Sequence, residues 1–230
     1  MAEKNYLLVG ASGDIGRAVH SELEGENVIT VSKTRMPHHK SEHHFLDLSR
    51  PITEEDVRRI TAGAEVLDGL IWTPGVELFG LFQDTSLEAL DEQYNISVRS
   101  LIIFIKVVLP KLKLSNNGRI IVITSVWGGA GASFESIYSA MKGAQNTLVK
   151  SLAKELAATG VTVNAIAPGV VEGSMTDALP DEDLAAVLGE LPQQRLIQPA
   201  EVASLAAYLL KGGSRSINGE ILNINGGWYT

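Results

Sequence analysis

Residues 6 to 16 read Tyr6-Leu7-Leu8-Val9-Gly10-Ala11-Ser12-Gly13-Asp14-Ile15-Gly16, a short apolar run followed by a turn with three glycines. The apolar run predicts a buried strand over 5–10, and the residues after it predict a helix that begins near Asp14. Glycines at such a turn let a phosphate approach the backbone, and the helix N-terminus supplies amide donors. The stretch therefore predicts a phosphate-binding βα unit. Because its spacing is not the usual G-x-G-x-x-G, an ordinary glycine turn remains the alternative.

The same alternation of apolar runs and helical patterns continues to the C-terminus. Strands are predicted over 5–10, 27–32, 43–46, 66–72, 118–124, 161–166 and 220–224. Helices are predicted over 14–24, 53–62, 86–114, 136–158, 181–189 and 199–211. Runs such as Arg119-Ile120-Ile121-Val122-Ile123 are apolar throughout, as in strands buried on both faces of a parallel sheet. The pattern predicts an α/β fold: a single domain over 1–230 with a Rossmann-like, doubly wound parallel sheet of about seven strands and helices on both faces.

Composition excludes several classes of function. The net charge of −8 disfavours nucleic acid or an anionic membrane surface as a partner. The chain has no cysteine, which rules out disulfides and thiolate chemistry. The first residues lead directly into the strand, and the longest apolar run is too short to cross a bilayer. We therefore expect a cytoplasmic protein.

A possible catalytic pair lies in the fourth predicted helix. Tyr138 and Lys142 are four residues apart, on one helix face, and Ser125 follows the fifth predicted strand. A lysine ammonium beside a phenol is expected to lower the tyrosine pKa, which suits proton transfer at a carbonyl or carbinol. Tyr-x-x-x-Lys alone also fits an exposed tyrosine over a solvated lysine.

Taken together, these segments resemble the short-chain dehydrogenase/reductase family, and within it the classical 3-oxoacyl-carrier-protein reductase type. The resemblance rests on the glycine turn, Ser125, Tyr138-x-x-x-Lys142, Pro168-Gly169 and the closing Asn225-Gly226-Gly227. It implies an NADP- or NAD-dependent oxidoreductase that transfers a hydride between nicotinamide and a carbonyl or secondary alcohol.

The resemblance also implies roles for individual residues. The catalytic set would be Asn95, Ser125, Tyr138 and Lys142. Ser125 would hold the substrate oxygen, Tyr138 would exchange the proton, Lys142 would hold the nicotinamide ribose, and Asn95 would fix a water near Lys142. The cofactor-binding set would be Gly10, Ser12, Gly13, Asp14, Ile15, Gly16, Ser32, Lys33, Arg35, Asp47, Thr73, Gly75, Tyr138, Lys142, Pro168, Gly169, Val171 and Ser174.

The end of the second predicted strand favours NADP over NAD. Enzymes that use NAD usually carry an acidic residue there, whereas this chain has Ser32 followed by Lys33 and Arg35. A hydroxyl and two cations suit a 2′-phosphate. The alternative is that both cations are solvated loop charges. Asp47 is expected to meet the adenine.

Three segments depart from the family pattern. Trp72-Thr73-Pro74-Gly75 replaces Asn-Asn-Ala-Gly, with Thr73 able to restore one hydrogen bond and Trp72 expected in the core. Asp14 stands where glycine is common, and Ser174 where a threonine often bonds the carboxamide. These differences bear more on cofactor affinity than on chemistry.

Four histidines lie between His38 and His44. A metal site there is conceivable, but the neighbouring Lys40 favours a solvated connection, and no metal is predicted. Residues 173–198, with an acidic helix between two prolines, resemble the family's substrate lid. The apolar helix over 86–114 is too broad for one buried stripe, so we expect either deep burial or a homo-oligomer, dimer or tetramer.

Two other functions fit the same fold. A non-catalytic dinucleotide-binding sensor or scaffold is the alternative from another class, and the altered Trp72-Thr73-Pro74 segment leaves room for it. Epimerisation or dehydration would use the same tyrosine for different chemistry.

Overall fold

The computed structural model describes residues 3–36 and 42–229. Within them, seven parallel strands form one sheet in the order β3-β2-β1-β4-β5-β6-β7. The strands are β1 (Asn5–Val9), β2 (Asn27–Ser32), β3 (His43–Phe45), β4 (Gly69–Trp72), β5 (Arg119–Ile123), β6 (Thr162–Pro168) and β7 (Ile221–Ile224). The predicted α/β fold with a doubly wound parallel sheet is confirmed.

Helices cover both faces of the sheet. They are α1 (Asp14–Glu22), α2 (Glu54–Ile60), α3 (Leu87–Tyr94), α4 (Ser100–Leu114), α5 (Trp127–Ala130), α6 (Ser136–Leu156), α7 (Asp181–Glu190) and α8 (Pro199–Leu210). A π turn at Asn95–Arg99 joins α3 to α4, and short 3-10 turns lie at Phe82–Asp84, Ala157–Thr159 and Gly212–Ser214. In the described part of the chain, no helix combines the length and the hydrophobicity that crossing a bilayer requires.

Two hydrophobic clusters lie on opposite faces of the sheet because strand side chains alternate. Leu7 and Leu70 point to the cluster under α2, α4 and α6, which contains Phe104. Leu8 and Ile71 point to the cluster under α1 and α8. The continuous apolar runs of the sequence thus reflect strands that are buried on both sides.

Some predicted boundaries were wrong. The fourth strand begins at Gly69 instead of residue 66, because the Leu67 amide donates to the Lys111 carbonyl of α4 and not to a neighbouring strand. The single helix predicted over 86–114 is interrupted by the π turn. The short helix α5 was not predicted, since its sequence Trp127-Gly-Gly-Ala has few helix-forming residues.

The breadth of the apolar helix is mostly explained by burial within the chain. Leu101, Phe104 and Val108 are fully buried against the sheet, whereas Ile102 is 42% exposed. Trp72 is also fully buried and stacks edge-on against Phe104, so the prediction that it belongs to the core is confirmed.

Candidate active site

The candidate site lies at the carboxyl ends of the central strands. Strands β1 and β4 are neighbours, and the sheet grows outward from them in both directions, towards β3 and towards β7. In open α/β sheets, ligands bind at this switch in strand order. The glycine turn follows β1 and Ser125 follows β5, so the topology brings the two predicted halves of the site to one edge.

Ser125 and Tyr138 meet directly. The Ser125 hydroxyl donates a hydrogen bond to the Tyr138 phenol oxygen and accepts one from the Trp127 amide at 3.2 Å. Ser125 is 8% exposed. The short helix α5 begins two residues after Ser125, and its Gly128 amide donates to the Ser125 carbonyl, while Tyr138 lies in the first turn of α6.

Lys142 lies on the same face of α6 as Tyr138, one turn further on. Its Nζ is 5.5 Å from the centroid of the Tyr138 ring and donates to the Ile123 carbonyl at 3.1 Å. The side chain is 2% exposed, and burial lowers its pKa from 10.5 to about 8. A buried lysine on a carbonyl can hold or release a proton near neutral pH.

The expected direction of the Tyr138 pKa was wrong. Burial raises it to about 12, the Ser125 bond opposes this, and the charges of Glu135 and Glu77 raise it further. Lys142 does not offset these effects: its Nζ is 5.5 Å from the ring centroid and donates to the Ile123 carbonyl. The phenol is therefore protonated at neutral pH.

Glu135 and Glu77 are neighbours of the site that sequence reasoning missed. Burial raises the pKa of Glu135, as does the charge of Glu77, while the Trp127 indole donates to its carboxylate and lowers it. Glu135 precedes Tyr138 by three residues, a helical spacing that could have indicated contact. Glu77 comes from the loop after β4, and its proximity follows only from the tertiary fold.

Asn95 lies at the start of the π turn and is 8% exposed. Its side-chain amide donates to the Ser49 carbonyl at 3.4 Å. The structure thus holds the Asn95 amide on the loop after β3, and the Lys142 ammonium on the strand β5 carbonyl of Ile123.

The glycine turn joins β1 to α1, and two of its glycines leave no room for a side chain. Gly10 has φ +85°, and a Cβ there would lie 2.4 Å from the Thr73 hydroxyl. A Cβ at Gly16 would lie 2.2 Å from the Gly10 carbonyl oxygen, so only glycine lets α1 start this close to β1. A Cβ added at Gly13 would lie 3.5 Å from its nearest neighbour, the Gly10 carbonyl oxygen, so this side of the turn is open. A phosphate could therefore approach the N-terminal amides of α1.

This donor set fits a dinucleotide. Amides of α1 and the Ser12 hydroxyl, which accepts a bond from Thr34 at 2.9 Å, would hold the diphosphate. Gly75 abuts Lys142, since a Cβ at Gly75 would lie 3.1 Å from the Lys142 Nζ, so the loop after β4 and helix α6 meet beside this turn.

Asp14 adds an unusual contact at the cofactor turn. Its carboxylate accepts bonds from both the amide and the hydroxyl of Ser174, each at 2.9 Å, and pairs with Arg17. Although burial raises the pKa of Asp14, the Ser174 bonds and the Arg17 charge hold it below its ordinary value. A Cβ at Gly173 would lie 2.4 Å from the carboxylate, so that position has no room for a side chain. The hydroxyl of Ser174, which was predicted to contact the cofactor, thus donates to the Asp14 carboxylate in this structure.

Most side chains predicted to contact the adenosine half of the cofactor bond to neighbouring protein groups. Ser32 donates to the Thr34 carbonyl at 2.6 Å. Lys33 forms an ion pair of 3.1 Å with Asp47, which also accepts two bonds from Ser49. Arg35 is exposed. Lys33 and Asp47, which were predicted to contact different parts of the cofactor, therefore contact each other.

The remaining predicted residues frame the same edge of the sheet. Thr73 makes the hydrogen bond that was expected of it, to the Val9 carbonyl at 2.8 Å. Pro168 accepts a bond from the Val126 amide at 3.0 Å, and Gly169 donates to Ile224. Val171 forms a parallel bridge with Ile197. Both Val171 and Ile15 pack against the hydrophobic cluster under α1 and α8.

The histidine cluster falls partly outside the described residues, which lack His38 and His39. In the part that is described, His44 pairs with Glu42 at 2.8 Å and His43 bonds Thr30 at 3.0 Å. Residues 3–36 and 42–229 contain no group of three or more histidine, cysteine or acidic side chains placed to hold a metal ion.

Comparison with known proteins gives one consistent result. The family described as enoyl-(acyl carrier protein) reductase matches residues 49–229. The chain is 33% identical to the uncharacterized oxidoreductase YmfI of Bacillus subtilis, covering 98% of this chain and 99% of that one. It is 31% identical to the 3-oxoacyl-(acyl-carrier-protein) reductase FabG of Rickettsia bellii, covering 99% and 97%.

A solved structure agrees over the whole length. A short-chain dehydrogenase family protein from Francisella tularensis superimposes with a TM-score of 0.90 at 26% identity, covering 99% of both chains. Fold, site and relatives therefore agree that the chain belongs to the short-chain dehydrogenase/reductase family of pyridine-nucleotide-dependent oxidoreductases and, within its classical branch, is similar to the FabG reductases.

Proposed function

We propose that this protein is an NADP-dependent reductase of a carbonyl compound, or the corresponding secondary-alcohol dehydrogenase. The observation that carries the proposal is the contact between the Tyr138 phenol and the Ser125 hydroxyl, with the buried Lys142 ammonium on the same helix face. These three groups lie at the carboxyl edge of the sheet, beside the glycine turn.

The roles follow from the state of each group. The Ser125 hydroxyl is positioned to donate a hydrogen bond to a substrate oxygen and to stabilise the charge that develops on it. The Tyr138 phenol, with its pKa raised to about 12, holds its proton at neutral pH and is ready to give it to that oxygen. When bound, the nicotinamide supplies the hydride. In this protonation state the phenol can serve as the general acid of a reduction.

Residues at the other end of the site support the choice of NADP. The strand β2 ends in Ser32, without the acidic side chain that repels a 2′-phosphate, and Arg35 and Lys33 follow it. Lys33 is held by Asp47, so the exposed Arg35 guanidinium is the better candidate for the phosphate. Residues 173–198 would cover the substrate, and the protein would work as a homo-oligomer in the cytoplasm.

The test is a panel of ketones, 3-oxoacyl thioesters and secondary alcohols, monitored by nicotinamide absorbance with NADPH and NADH in parallel. We expect turnover of at least one carbonyl class and a preference for NADPH that Arg35→Ala reduces about tenfold, as loss of one charge-assisted phosphate contact implies. Arg58→Ala, at an exposed arginine on α2, is the matched control and should keep the preference.

Each half of the proposal can fail separately. Cofactor binding with no turnover across the panel would support a non-catalytic dinucleotide-binding protein instead. A preference for NADH would contradict the assignment of Arg35, and leave the reductase chemistry standing.

A further inference from the structure

The helix that carries Asn95 contains a buried irregularity. At the π turn Asn95–Arg99, the Ser100 amide donates to the Asn95 carbonyl five residues earlier, instead of four as in an α-helix. Ser97, in the middle of the turn, is fully buried. π turns are rare and are found frequently at functional sites. The position of Asn95 therefore depends on what holds this turn.

Gln145 of α6 holds it. The Gln145 side-chain amide donates to the Ser97 carbonyl at 2.6 Å, and Gln145 is 1% exposed. The bond links two residues that are 48 apart in sequence. Because both groups are buried, breaking the bond would leave the carbonyl without a partner in a place that water does not reach freely.

Gln145 also belongs to the catalytic face of its helix. It follows Lys142 by three residues, and Lys142 follows Tyr138 by four, so the three side chains form one stripe on α6. The helix that carries the proton-transfer groups and the turn that carries Asn95 are thus joined one turn beyond Lys142.

We propose that Gln145 is a positioning residue for the reaction: its amide clamps the π turn to α6 and so fixes Asn95 relative to Tyr138 and Lys142. The inference rests on the proposed function, because positioning matters only if this set is catalytic. Gln145 itself acts through the turn and does not touch the reacting groups.

The polarity of this contact argues against a purely structural role. The Gln145 Oε1 and Ser97 Oγ atoms, both from the two residues that this contact joins, are buried without a hydrogen-bond partner among the described residues. Apolar side chains of similar volume would join two helices without this cost. An amide at this position therefore fits the role of fixing the geometry of the π turn better than the role of packing two helices together.

The experiment compares Gln145→Met, which keeps the volume and loses the donor, with Gln145→Glu. For Gln145→Met we expect kcat to fall about tenfold or more, because small displacements of catalytic groups slow turnover. The affinity for NADPH should be nearly unchanged. Gln145→Glu can donate only when protonated, so its activity should approach wild type at low pH and fall as pH rises. The wild-type profile should lack this ionisation.

Two readouts do not need turnover. Hydrogen exchange of the amides at 95–100 should be faster in Gln145→Met. The Lys142 pKa, followed by NMR of labelled lysine and assigned with Lys142→Met, should move by about half a unit or more. The matched control is Asn164→Leu, since Asn164 is equally buried and donates to the Ile217 carbonyl at 2.8 Å, away from the site.

The outcomes separate the two proposals. If Gln145→Met and Asn164→Leu both lower only the melting temperature, with exchange at 95–100 and the Lys142 pKa unchanged, Gln145 is structural and the inference is overturned. If the wild type turns over nothing in the panel, the proposed function fails. The exchange and pKa measurements would then still decide whether the clamp exists.

Discussion

At the scale of single residues, the burial of Lys142 dominates the energetics of the candidate site. No carboxylate within the described residues forms a salt bridge with it, and its hydrogen bond goes to the neutral Ile123 carbonyl. A buried ammonium in such surroundings destabilises the fold, and this cost appears as its lowered pKa. Burying Lys142 thus lowers the stability of the folded protein, and in return the lysine titrates near working pH.

The sign of the resulting pH dependence can be worked out. The pKa of Lys142 is about 8 in the folded chain and near its ordinary 10.5 in the unfolded one, so the unfolded state binds more protons between these values. The contribution of Lys142 to stability therefore rises as pH increases from 8 to 10.5.

Lys142→Met should consequently be more stable than wild type at pH 7, by up to about 3 kcal/mol, with the difference shrinking towards pH 10. Urea unfolding of both proteins between pH 7 and pH 10 measures this difference in stability. A difference that stays constant or grows with pH would mean that Lys142 is not buried as a charge.

At the scale of elements, the link between α1 and the segment after β6 is the feature that most affects cofactor binding. Strands β1 and β6 are separated by β4 and β5, roughly 14 Å across the sheet. The Asp14–Ser174 bonds join the start of α1 to the segment after β6, although β4 and β5 lie between the strands that precede them. The carboxylate also places negative charge at the helix end that would receive a diphosphate.

Asp14→Gly should therefore bind NADPH more tightly, by about tenfold at low salt, because it removes both the repulsion and the link. Asp14→Asn removes the charge alone and should give most of the gain, decreasing as salt is added. Ser174→Ala, which keeps the carboxylate, serves as the control and should change affinity little. Isothermal titration gives all three values. Weaker binding by Asp14→Gly would show that the link helps to order the cofactor site.

At the scale of the whole molecule, we expect the exposed part of the α4 face to take part in association between copies of the chain. Ile102 is 42% exposed on a helix whose other face is fully buried. We expect light scattering to give a mass of two or four times the 24.6 kDa chain, and Ile102→Glu to lower it. Lys113→Glu, at the exposed end of the same helix, controls for charge. A monomer at micromolar concentration would contradict the expectation.

Much of this molecule could be predicted from the sequence because its signals are local. Strands buried on both faces give continuous apolar runs, so the sheet was predicted, and the glycines after Val9 predicted the turn that joins β1 to α1. The π turn at Asn95 was not, because a change from α to π bonding depends on packing against α6. The direction of the Tyr138 pKa also failed, since it depends on burial and on Glu77, which arrives from a distant loop.

The most direct test of the central claim is the turnover of Tyr138→Phe compared with its affinity for NADPH. The phenol is the group that the proposal assigns to deliver the proton, and its loss leaves the Ser125 hydroxyl and the Lys142 ammonium in place. We predict that turnover falls by at least about a hundredfold, the scale of general acid catalysis, while NADPH binds within a few-fold of wild type. Substantial turnover by Tyr138→Phe with the best substrate of the panel would contradict the account.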